Sequence, residues 1–135
     1  LFVFFFLFVG CDYFVAGLVA VNFWFIFAIL LFKARTVVEG DSSRIIVLSI
    51  PDWTAIKAKD VRNREKIRKK IDHFNAINKE ESSNAAVRYI DITNLSRMAA
   101  DDINFLSDDR KNPSDYMYEI WARKVFPVAL TALGL

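Results

Sequence analysis

Hydrophobic positions fall along the chain in three rhythms. Arg44 to Ile50 (R-I-I-V-L-S-I) and Val87 to Thr93 (V-R-Y-I-D-I-T) are short, β-branched runs between turn-forming residues, and they predict buried strands. Ile67, Ile71, Phe74 and Asn78, with Ile77 beside them, recur at helical spacing and predict a helix whose opposite face is solvated. The same spacing over Met117, Ile120, Trp121, Val125 and Val128 predicts a last helix. Ser114 is placed to cap that helix and Pro127 to kink it. Asn94 to Asn112 is polar and reads as a loop, with Met98 to Asp101 as one helical turn. The third rhythm is none at all. Leu1 to Val9 is continuously apolar, Gly10-Cys11-Asp12-Tyr13 interrupts it, and Phe14 to Phe32 is apolar again apart from Asn22 and the Trp24 indole.

That first region admits two readings. Leu1 to Val9 is a strand buried on both faces or part of a membrane segment. Phe14 to Phe32 would extend about 28 Å as a helix, close to a bilayer core. Lys33 and Arg35 follow at once, so the positive-inside rule puts residues 33–135 in the cytoplasm. The other reading is a helix packed on a sheet, in a soluble or secreted domain. Charge sharpens the division. Residues 1–32 contain one charged side chain, Asp12, whereas 33–135 hold all 18 Lys and Arg and the remaining acids. The sequence therefore divides into an apolar segment, 1–32, and a mixed segment, 33–135.

With a net charge of +2, the chain has no general polyanion-binding character. Residues 57–70 carry eight basic and two acidic side chains, which form a solvated helix face or meet anionic lipid. No aromatic platform accompanies them, so nucleic acid is not an expected partner. One cysteine, Cys11, excludes an internal disulfide, and one histidine, His73, leaves no metal-ligand spacing. No cofactor is expected, and the oligomeric state is open.

Strand, helix, strand, helix, strand, helix predicts an α/β sandwich on a parallel sheet, with functional loops at the carboxyl ends of the strands. Four segments in order carry a resemblance: V-L-S-I-P-D-W (47–53), I-D-H-F-N-A-I-N (71–78), R-Y-I-D-I-T-N-L-S-R (88–97) and D-R-K-N-P-S-D-Y-M-Y-E-I-W (109–121). Together they resemble the SGNH, or GDSL-type, hydrolases. The resemblance implies a three-layer α/β/α flavodoxin-like fold, incomplete here and limited to the C-terminal part of the domain. It also implies an ancestral ester hydrolysis by a Ser-His-Asp mechanism, in which a serine attacks, a histidine takes its proton and an aspartate orients the histidine.

Carried over residue by residue, the resemblance places Asp109 at the catalytic acid position and Asn112 at the histidine position. An amide has no useful basicity near neutral pH. Asp12 falls at the position of the oxyanion asparagine, where a carboxylate has no N–H to donate. The serine block is expected upstream of Leu1, so an acyl ester would be a substrate only of a domain completed there. Gly40-Asp41-Ser42 spells the family's nucleophile motif but sits between a helix and a strand, at the wrong edge of the sheet. His73 lies on a helix to one side. The expectation is a degenerate, inactive hydrolase-like domain; the alternative is a membrane-anchored, non-catalytic binding module with a basic helix face.

Overall fold

The computed structural model describes residues 2–4, 18–56, 64–109 and 112–135. Three strands, β1 (Phe2–Phe4), β2 (Ile45–Leu48) and β3 (Arg88–Ile90), form a parallel sheet in the order β1-β2-β3. Phe2 aligns with Ile45, and Ile46 with Arg88. The central position of β2 follows from its composition, since all four side chains are apolar and all four are buried. Alternate residues serve opposite faces. Ile45 and Val47 join Phe27, Leu31, Ala34, Val38 and Val87, while Ile46 and Leu48 join Ile90, Ile92, Phe105, Met117 and Trp121. The chain is thus an α/β fold with helices against both faces of a small parallel sheet.

Both helices that link successive strands lie on the first face. They are α1 (Leu18–Val37), between β1 and β2, and α3 (Arg64–Asn84), between β2 and β3, and they touch each other. A one-turn helix, α2 (Trp53–Ile56), precedes α3. The second face is covered by α5 (Asp115–Leu133) and by a short helix, α4 (Thr93–Arg97), with the 3-10 turns Met98–Ala100 and Ile103–Phe105. The expected loop from Asn94 to Asn112 is therefore largely helical turns, which bury Ser96, Ala99 and Phe105. Pieces of three to five residues are too short to leave a hydrophobic period in the sequence.

α1 runs through the compositional break at Lys33 and stops where Glu39 and Gly40 take positive φ, with the Gly40 N–H donating back to the Arg35 carbonyl at 2.8 Å. Its stripe Phe27, Leu31, Ala34 and Val38 is in the core. Among the described residues, no helix is long and apolar enough to cross a membrane. Residues 14–17 of the expected span, and residues 57–63 of the basic run, lie outside the described residues.

The stripe of α3 is more polar than its isoleucines suggest. Asn75, Asn78 and Ser82 are buried beside Ile71, and His73 is exposed. In α5 the Ser114 hydroxyl accepts the Met117 N–H at 3.2 Å, Gly134 closes the far end at φ 75°, and the helix continues through Pro127.

Candidate functional site

Strands β2 and β3 end earlier than their apolar runs, and the reason is side-chain chemistry. After Leu48 the Ser49 N–H still bonds to the Ile90 carbonyl, at 2.9 Å. At Ile50 the backbone turns to Asn75 instead. The Ile50 N–H donates to the Asn75 Oδ1 at 2.7 Å, and the Asn75 Nδ2 donates to the Ile50 carbonyl at 3.0 Å. On the neighbouring strand, Ile92 and Thr93 give their N–H groups to the Ser49 Oγ at 2.7 and 3.0 Å. Two side chains thus replace the ladder at the carboxyl end of the sheet, where α/β folds place their ligands.

Around them lies a polar cluster. The Ser49 hydroxyl donates to the Asp91 Oδ1 at 3.1 Å, and the Thr93 N–H donates to the same oxygen at 2.8 Å. Asn75 Nδ2 also reaches the Thr93 Oγ1 at 2.8 Å, and the Tyr89 hydroxyl donates to the Asn75 carbonyl at 3.3 Å. Burial raises the Asp91 carboxyl, but the Thr93 N–H, the Ser49 and Thr93 side chains and the charge of Lys124 outweigh it, so its pKa lies below the ordinary value. Burial and the Asp91 charge push the Tyr89 phenol up to about 12, so it remains a donor at neutral pH.

A second knot adjoins the first. Asp52 is fully buried, and its Oδ2 accepts from Arg97 Nε at 2.8 Å and lies 3.2 Å from Arg68 Nε. Its Oδ1 accepts the Thr54 N–H and hydroxyl, at 3.1 and 2.6 Å, which starts α2. Arg97 extends to Asp72 at 2.6 Å, joining α4 to α3. Burial works against the Arg97 charge, and the bonds to Asp52 and Asp72 overcome it, so its pKa is raised. A surface cavity of about 430 Å³ opens over both knots, lined by Asp72, Asn75, Tyr89, Asp91, Thr93 and Arg97 with Lys79 at its rim.

What this cluster does chemically is hold the fold. Ser49 is 2% exposed, and its proton goes to the carboxylate of Asp91, a base made weaker still by its lowered pKa, so it is not an activated nucleophile. Among the described residues, no group of His, Cys, Asp and Glu has the makings of a metal site. Because the Asp91 pKa is depressed on folding, its contribution to stability is complete above the ordinary carboxylate value and disappears as pH falls through the folded-state value. Urea midpoints measured from pH 6 down into the acid range are therefore expected to fall more steeply for the wild type than for Asp91→Asn.

The sequence-derived site residues lie elsewhere. Asp109 and Asn112 do come together, in an exposed loop pinched by a bridge between Leu106 and Pro113. The Asn112 Nδ2 donates to the Asp109 Oδ2 at 2.9 Å, and the Asn112 N–H and the Ser107 hydroxyl both donate to Oδ1, at 3.2 and 2.6 Å. Asp12, the expected oxyanion position, lies outside the described residues. Ser42 sits in a 3-10 turn (Ser42–Arg44) directly before β2, at the amino end of the strands, capped by Asp41. His73 is exposed on α3, its ring 6.1 Å from that of Phe74.

Nothing in the sequence pattern connects Ser49, Asp52, Asn75, Asp91, Thr93 and Arg97, which meet only in the folded chain. Their local signal is that small polar residues follow both apolar strands immediately. Three of the four segments that carry the hydrolase resemblance, 47–53, 71–78 and 88–97, meet in this cluster. In comparisons with known proteins, no family model, curated protein or solved structure matches the chain.

Proposed function

We propose that the chain is an SGNH-hydrolase-like domain that has lost ester hydrolysis, its sheet corresponding to the C-terminal part of a three-layer flavodoxin-like sandwich. A parallel sheet with helices on both faces supports this reading. So does the convergence of three resembling segments at the carboxyl ends of the strands. The observation that carries the functional half is the pair Asp109–Asn112. The Asn112 amide donates to the Asp109 carboxylate at 2.9 Å, as the ring N–H of a catalytic histidine would. The acid is thus paired with a group that offers an orienting N–H but no base on its far side. Asparagine preserves the loop geometry while removing the proton transfer, which is a route by which an active-site loop outlasts its activity.

Hydrolysis of a short-chain nitrophenyl ester tests the proposal. Expected is a rate indistinguishable from the buffer reaction, for the wild type and for Asn112→His alike, because neither Ser42 nor Ser49 is placed as a nucleophile. Saturable turnover lost on Ser42→Ala or His73→Ala overturns it.

A further inference from the structure

The outer side of α1 is unlike the outer side of an ordinary surface helix. With Phe27, Leu31, Ala34 and Val38 turned to the sheet, the large apolar residues left in solvent are Trp24, Phe25, Ile26, Ile29, Phe32 and, in the last turn, Val37. Phe25 is 58% and Phe32 is 70% exposed. Phe25, Ile29 and Phe32 fall in one row about 180° from the buried stripe and cover about 10 Å of helix length. An exposed contiguous patch of this kind marks a surface made for contact.

Charge around the patch says with what. The charged residues of α1 are Lys33 and Arg35, both exposed, and the helix carries no acid. Alongside it, the first turns of α3 put Lys66 and Lys69 outward on the side opposite its own buried stripe, with Glu65 beside them and Glu80 further along that side. Lys69 pairs with Glu65 at 3.6 Å, both largely solvated, which neutralises it only weakly. Aromatic rings, an indole partly in water and flanking cations are the components of a helix that lies in the boundary of an anionic bilayer. A spanning helix is a different object. To cross the bilayer α1 would have to withdraw four core side chains from the sheet, leaving Ile45 and Val47 bare.

We propose that α1 docks the folded domain in plane on an anionic phospholipid surface, with Phe25, Ile29 and Phe32 in the acyl boundary and Lys33, Arg35, Lys66 and Lys69 on the headgroups. The inference does not depend on the hydrolase-like reading.

Flotation of the full chain with vesicles tests it. Binding to vesicles of phosphatidylcholine with phosphatidylserine is expected, at least about tenfold weaker binding to phosphatidylcholine alone, and release by alkaline carbonate. The pair Phe25→Glu and Phe32→Glu is expected to abolish flotation with the urea midpoint unchanged, because both side chains are already in solvent. Equal binding to neutral vesicles, retention in carbonate, or unaltered flotation of the double variant overturns the proposal. So does a wild-type dimer that ignores vesicles and dissociates in the double variant, since a second copy would then cover the face.

Discussion

Replacing Asp52 by alanine is expected to destabilise the fold by about 3 kcal/mol, the lower end of what breaking a buried ion pair costs. The carboxylate is fully buried, and four donors converge on it: Arg97 Nε, Arg68 Nε, and the Thr54 N–H and hydroxyl. Removing it leaves Arg97, whose side chain is 22% exposed, with Asp72 alone, and releases the turn that starts α2. Arg68 is 41% exposed and recovers water readily, which holds the effect to the lower end. Arg68→Ala is accordingly expected to cost less than about 1 kcal/mol, because Arg97 still faces the carboxylate. Urea denaturation of the variants checks both the size and the order. Equal effects of Asp52→Ala and Arg68→Ala would mean that the carboxylate is not the centre of the knot.

The second large effect is expected at Asn75. Its amide takes the place of a strand partner for Ile50, accepting the N–H and donating to the carbonyl. Leucine at this position keeps the volume and the apolar neighbours but leaves the buried Ile50 N–H unpaired, whereas the Ile50 carbonyl keeps the Thr93 hydroxyl at 2.9 Å. At about 1–3 kcal/mol for a buried group left without a partner, Asn75→Leu is expected to cost about 1–3 kcal/mol, part of it offset by the better burial of leucine. Hydrogen exchange discriminates this from a packing effect. The Ile50 amide is expected to lose protection selectively, while the Val47 and Leu48 amides keep theirs relative to global unfolding.

These two side chains also mark how far the sequence could be read. The strands over 44–50 and 87–93 were legible because burial on both faces requires uninterrupted apolar, β-branched runs, and no partner need be known to see that. The cap at Ser114 and the stripe of α5 were legible because each depends on residues within a turn or two of one another. Their ends were not legible. Asn75 acts on Ile50 across 25 residues, Ser49 on Asp91 across 42 and Arg97 on Asp52 across 45. A polar residue after a strand looks like an ordinary loop residue until its partner is brought to it. For that reason Asn78 reads as one more position of an amphipathic stripe and Asn75 carries no signal of its own, although Asn75 holds the end of β2.

Hydropathy over the N-terminal region met the same boundary from the other side. An all-apolar helix contains no information about which face is inside, so hydropathy reads 14–32 first as a membrane span and only second as a layer on a sheet. The position of β2 breaks that symmetry, because Ile45 and Val47 select Phe27, Leu31, Ala34 and Val38 and leave Phe25, Ile29 and Phe32 in solvent. By itself the sequence determined an α/β pattern, the buried strands and the break in charge at Lys33. Only the tertiary structure decided the direction in which α1 faces and the residues that close the carboxyl end of the sheet. Apolar pattern and local spacing are properties of the chain in one dimension. A burial direction, or a hydrogen bond across 45 residues, exists only once the sheet has brought both sides together.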